Sequence, residues 1–182
     1  MPLVAVVMGS KSDAEVLQPT LEILKQLGID YEVNVISAHR TPEKARQYGQ
    51  AARGRGIEII IAAAGAAAHL PGVLASWTTL PVIGVPLASS ELKGIDALYS
   101  IVQMPAGIPV ACMAVGSAGA KNAAYLAAEI LGLKYKEIQK ACEKHRSDLQ
   151  GDIHIQTSLN IKPNLKYSSL KEMAADEGEH ND

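Results

Sequence analysis

The chain has 182 residues, 48% of them hydrophobic, and 17 basic against 19 acidic side chains leave a formal charge of −2. That length suits one compact domain, and the balanced charge excludes a nucleic-acid-binding surface driven by bulk positive potential. Gly, Pro or a charge interrupts every apolar run before it reaches membrane-spanning length, and Cys112 and Cys142 lack metal-ligand spacing and fit a reducing, cytoplasmic setting.

Val4 to Met8 is a continuous apolar run, the pattern of a strand buried on both faces. It follows no basic segment, so it reads as a first strand and not as a signal peptide. Gly9-Ser10-Lys11-Ser12-Asp13 comes next, and Ser12 with Glu15 forms a capping-box pattern that predicts a helix to about Leu27, stopped by Gly28. Pro19 removes one backbone donor from that helix and predicts a bend near its second turn.

The alternation of Tyr31 to Ile36 predicts a second strand. Thr41-Pro42 then reads as an N-cap followed by proline at the first helical position, with the helix reaching about Arg53 and ending at Gly54 or Gly56. Ile57 to Ala63 is a β-branched third strand, and Ala64 to Gly72 a loop of small residues opening a short helix toward Trp77. Pro81 to Pro86 forms the fourth strand, Ser89 to Gly94 a polar loop, and Asp96 to Val102 a helical turn or two. Pro109 to Val115 is the fifth strand, and Gly116 to Asn122 leads into a helix ending near Leu131. That helix has hardly any polar face, which predicts burial on more than one side and a place in a subunit interface. A charged helix covers Tyr135 to about Leu149, and from Gly151 the sequence loses periodicity and ends acidic, as a poorly ordered tail does.

Strand and helix alternating five times predict a three-layer α/β fold: a doubly wound, flavodoxin-like, five-stranded parallel sheet over residues 1–150, with 151–182 as tail. Three crossover loops should meet at the carboxyl edge of that sheet, where helix amino termini converge and ligands bind. Ser10 and Ser12 of the first can hold a phosphate, or Ser12 can simply cap its helix; Asp13 can accept from sugar hydroxyls, or simply be solvated. Arg40 of the second adds a bidentate anion contact. His39 is the best proton carrier, since a free imidazole titrates near pH 6.5. His69 of the third loop competes with it, or positions a closing loop. The sequence has no G-x-x-x-x-G-K-[ST], G-x-G-x-x-G, H-E-x-x-H or C-x-x-C pattern. Acid–base chemistry on a small anionic ligand is what those signatures leave.

Gly9-Ser10-Lys11-Ser12-Asp13, Ser37-Ala38-His39-Arg40-Thr41-Pro42, Ala68-His69-Leu70-Pro71-Gly72, Gly84-Val85-Pro86 and Ser100 to Pro105 resemble, in order, the 5-(carboxyamino)imidazole ribonucleotide mutases of purine biosynthesis. The likeness covers roughly residues 3 to 150. It implies movement of a carboxyl group from the exocyclic nitrogen of an aminoimidazole ribonucleotide to a ring carbon, by decarboxylation and recarboxylation, without metal or other cofactor. The resemblance implies that His39 is the general acid/base. Substrate contacts are expected at Ser10, Ser12, Asp13, Ser37, Ala38, Arg40, Gly65, Ala66, His69 and Leu70. It further implies a homo-octamer, no nucleic-acid or membrane partner, and coupling to the ATP-dependent synthetase that makes the carbamate. Two departures stand out: the family loop usually reads G-A-G-G-A-A-H-L-P-G, and Ala63 and Ala66 replace two of its glycines. A direct carboxylase of the same nucleotide usually has lysine beside the histidine, so Arg40 favours the mutase. A nucleotide-sensing module that has lost catalysis through Ala63 and Ala66 is the third reading.

Overall fold

A computed structural model describes residues 1–158, with side chains through Gln150. The strands are β1 (Val4–Met8), β2 (Tyr31–Val35), β3 (Ile59–Gly65), β4 (Val82–Leu87) and β5 (Ala111–Cys112). All pairings are parallel, in the order β2-β1-β3-β4-β5, which is the flavodoxin-like doubly wound order. The helices are α1 (Ala14–Gln26), α2 (Pro42–Ala52), α3 (Leu70–Trp77), α4 (Ile95–Val102), α5 (Ser117–Gly132) and α6 (Lys136–Ser158).

The side-chain alternation of the strands builds two cores. Val4, Val6, Met8, Ile59 and Ile61 meet Leu17 and Leu24 of α1 and Ala123 and Ala127 of α5 on one face. Ala5, Val7, Ile60 and Ala62 meet Ala45 and Tyr48 of α2, Leu74 of α3 and Ile101 of α4 on the other. Because both faces are covered, β1 and β4 are buried along their whole length, as their unbroken apolar runs require. Alanine suits the α1–α5 layer because a small side chain lets helix backbones approach closely. Thr20 uses that proximity, donating its buried hydroxyl to the Ala120 carbonyl at 2.8 Å.

Several boundaries differ from the sequence expectation. The third strand starts two residues late, because Gly56 takes φ +90° and the Ile57 amide still bonds back to the Ala52 carbonyl. The fifth strand shrinks to Ala111–Cys112; it is an edge strand, and Pro109 has no amide to contribute. The small-residue face of α5, Ala120, Ala123, Ala124, Ala127 and Ala128, is buried within the chain itself, so its lack of a polar face needs no second subunit. Pro19 lies inside α1, which continues past it to Gln26.

The chain divides into a compact unit Met1–Lys144, which carries the sheet, and a second unit from His145 onward. The last helix runs to Ser158, past the end expected near Leu149. A lone glycine costs a helix only about 1 kcal/mol relative to alanine, and no proline stands between Gly151 and Ser158. The acidic tail lies outside the described residues.

Candidate active site

Helices α1 and α2 cover opposite faces of the sheet, so the winding reverses next to β1, at the kind of switch point where ligands bind in open α/β folds. A cavity of about 340 Å³ opens there. It is lined from four strand ends and their loops: Gly9, Ser10, Ser12 and Asp13 after β1; Ser37, Ala38 and His39 after β2; Ala64 and Gly65 at the end of β3 with Ala68, His69 and Leu70 after it; and Ser89 after β4.

The first loop is a helical turn at Lys11–Asp13 that precedes α1. Ser10 is extended, and its Oγ accepts the Ser12 amide at 3.4 Å while Asp13 Oδ2 accepts the Ser10 amide at 2.9 Å. This is a reciprocal capping box, built on Ser10 and Asp13 instead of the expected Ser12 and Glu15. Asp13 is 8% exposed. Burial pushes its carboxyl above the ordinary range, against the opposing pull of hydrogen bonds from Ser10 and Ser12. A carboxylate held this way is a fixed acceptor beside a cluster of donors.

The second loop is cross-linked by its own side chains. Ser37 N–H donates to Thr41 Oγ1 at 3.1 Å, Thr41 Oγ1 donates to the Ser37 carbonyl at 2.9 Å, and Arg40 N–H donates to Ser37 Oγ at 3.2 Å. Thr41 stands at the N-cap of α2 with Pro42 behind it, as expected, but its hydroxyl caps no helix amide. The turn holds His39 toward the cavity. Arg40 is exposed and is not part of the lining; its guanidinium donates to the Gly9 carbonyl at 3.4 Å and so ties the second loop to the first at the rim.

The third loop brings the second imidazole to the first. His39 Nε2 lies 2.5 Å from His69 Nδ1, with the rings edge to face, 4.7 Å between centroids and 84° between planes. One nitrogen of the pair must carry a proton and the other must accept it, so a proton is held between two side chains at the cavity mouth. The rival candidates of the sequence are therefore one unit. Ala66 and Ala68 take φ of +51° and +43°, a region that L-residues with a Cβ enter at a cost. Of the two replaced glycines, Ala66 thus sits at a left-handed position. Ala63 does not; it is fully buried in β3, opposite Met8 and Val85.

Of the expected site residues, Ser10, Ser12, Asp13, Ser37, Ala38, His39, Gly65, His69 and Leu70 converge on the cavity, whereas Arg40 and Ala66 do not line it. The expected contacts omitted Gly9, Ala64, Ala68 and Ser89; Gly9 and Ala68 lie in two of the loops expected to meet here, and Ser89 follows a buried strand of the same parallel sheet. Among the described residues no group of three or more His, Cys, Asp or Glu side chains is arranged to hold a metal ion, and no helix is long and apolar enough to cross a membrane.

A family model described as AIR carboxylase matches residues 3–152. A protein of Saccharolobus solfataricus named N5-carboxyaminoimidazole ribonucleotide mutase is 60% identical over 153 residues, 84% of this chain and 96% of that one. A Pseudomonas aeruginosa protein of the same name is 58% identical over 146 residues, 80% of this chain and 90% of its own. The crystal structure of Treponema denticola PurE superposes with a TM-score of 0.76 at 31% identity, covering 88% of this chain and 99% of that one. With its sheet order, its four-loop cavity and these likenesses, the chain belongs to the AIR carboxylase family.

Proposed function

We propose that this chain is an N5-carboxyaminoimidazole ribonucleotide mutase, an isomerase that moves a carboxylate from the exocyclic nitrogen of the ribonucleotide to its ring carbon, giving 4-carboxy-5-aminoimidazole ribonucleotide on the route to IMP. The observation that carries this reading is the His39–His69 pair, set at the mouth of a cavity whose other loops offer a helix start and a buried carboxylate. The Ser10–Ser12 turn takes the phosphate through backbone and hydroxyl donors, and Arg40 swings from the Gly9 carbonyl to join it. Asp13 accepts from the ribose hydroxyls. Breaking the carbamate N–C bond returns an electron pair to nitrogen, which takes a proton from His39. The ring carbon then bonds the released carbon dioxide and loses its own proton to the same imidazole. His69 holds His39 in the orientation and tautomer both steps need. No ATP enters, because the C–C bond formed replaces the N–C bond broken and the net change is an isomerisation.

The test is turnover of the carbamate in the absence of ATP, beside the parent amine supplied with bicarbonate. Conversion of the carbamate is expected at a rate the amine does not match; conversion of the amine alone would make the chain a direct carboxylase. His39→Asn should lower kcat by about 10²–10⁴-fold, the usual worth of positioned proton transfer, while ligand still binds. Full turnover by that variant would remove His39 from the mechanism. The exposed apolar stripe of Leu92, Ile95, Tyr99 and Val102 supports a subunit interface, and a homo-octamer is the assembly this reading expects. A cytoplasmic setting and a functional coupling to the carbamate-forming synthetase follow from the same reading.

A further inference from the structure

Four serines line the cavity, and three have hydroxyls engaged in their own turns. Ser10 Oγ accepts from Ser12, Ser12 Oγ donates to Ser10, and Ser37 Oγ accepts from Arg40. Ser89 differs: its amide bonds the Leu87 carbonyl, but among the described residues its hydroxyl has no protein partner. Its position is nonetheless shaped by a second strand. A Cβ built on Gly65 would fall on Ser89 Oγ and come within 2.8 Å of Ser89 Cβ. Gly65 does not have a positive φ, so conformation does not demand glycine there; room for the serine does.

The neighbourhood indicates what the hydroxyl is for. Helix-start donors for a phosphate and the Asp13 carboxylate lie in the first loop, whereas Ala64 and Gly65 at the end of β3 and Ala68 and Leu70 beyond it give the cavity an apolar lining, with Gly65 directly against Ser89. A carboxyl group in transit changes from a charged carbamate to neutral carbon dioxide and back to a charged carboxylate. A cation would bind the charged ends much more tightly than the neutral middle and so deepen the ground state. A neutral hydroxyl favours them far less and still gives the released molecule one directional contact.

We propose that Ser89 is a substrate-contacting residue that donates a hydrogen bond to the migrating carboxyl group and retains it in the cavity while it is free. The proposal rests on the mutase reading. Ser89 forms no covalent bond and keeps its proton: the N–C bond breaks, the C–C bond forms, and the ring proton goes to His39.

The experiment supplies the unlabelled carbamate in buffer with ¹³C-bicarbonate and measures the labelled fraction of the carboxylated product, corrected for decay of free carbamate. Each labelled product records one carbon dioxide lost to solvent. Ser89→Ala is expected to raise that fraction and lower kcat, each by roughly two- to tenfold, the worth of one neutral hydrogen bond, with KM for the nucleotide unchanged. Ser89→Thr, which keeps the hydroxyl and can turn its extra methyl outward, should restore both values. A labelled fraction in Ser89→Ala equal to the parent's, whether kcat is kept or KM alone rises, overturns the proposal and leaves the mutase reading standing. A parent chain that does not convert the carbamate overturns both.

Discussion

Replacing Ala66 and Ala63 by glycine, one at a time, should change stability in opposite directions. Ala66 sits at φ +51°, where a Cβ costs about 1–2 kcal/mol. Glycine removes that cost but frees the unfolded chain by about 0.4–1 kcal/mol, which leaves a net gain of about 0.5–1 kcal/mol. Ala63 has none of this strain and is fully buried in β3. Its methyl contributes about 0.8 kcal/mol by burial, and glycine inside a strand costs a further 0.5–1 kcal/mol or so, a loss of about 1.5 kcal/mol. The variants should therefore differ by about 2–2.5 kcal/mol, or roughly 5–10 °C in Tm for a chain of this size. Scanning calorimetry of both variants beside the parent, at one pH and concentration, reads this directly. Ala66→Gly losing as much as Ala63→Gly would refute the reasoning, since it would mean that Ala66 is not left-handed in solution. Turnover of Ala66→Gly also bears on the nucleotide-sensing alternative: a parent that already turns over fast, with no gain from glycine, leaves that idea nothing to explain.

Asp13→Asn should weaken nucleotide binding by roughly 10–100-fold, the worth of charge-assisted hydrogen bonds to the ribose, as titration calorimetry would show; parent-like affinity would exclude Asp13 from the sugar site. The same substitution changes the pH dependence of stability. Because burial holds the folded carboxyl above its unfolded value, the folded chain binds more protons between about pH 4 and that raised value, so this group's contribution falls as pH rises through the window. Asparagine should flatten that portion of the curve, and an unchanged slope in denaturant titrations across it would contradict the assigned shift. Gly84→Ala should cost about 1–3 kcal/mol by overpacking, because a Cβ there would lie 2.5 Å from Ile101 Cγ2 and 2.9 Å from Val110 Cγ1; a parent-like Tm would show that α4 gives way freely.

Strand number, parallel direction and layering were readable in the sequence because each rests on short-range patterns. Val4 to Met8 and Val82 to Leu87 are unbroken apolar runs, and only a sheet covered on both faces accommodates such runs side by side. Boundaries were less readable where two local preferences competed. Ile57 is as good a strand former as Ile59, yet the left-handed turn at Gly56 keeps the Ile57 amide bonded to Ala52. The capping box moved from Ser12 to Ser10 for a similar reason: the pattern S-x-x-[DE] occurs at both positions, and a tight helical turn before α1 selects the earlier one.

The site shows where one-dimensional reading runs out. His39 and His69 are 30 residues apart, and neither flank mentions the other; as separate residues each has a dull explanation. Their pairing depends on β1 lying between β2 and β3, which places the two loops on either side of the first one, and on Ala66 and Ala68 adopting left-handed backbone to turn the third loop back toward the second. The strain at those alanines and the meeting of the imidazoles are thus two ends of one geometric requirement. A loop relaxed into ordinary φ at both alanines would carry His69 elsewhere and leave His39 without its partner, which is why glycine at position 66 should ease folding while keeping the pair intact.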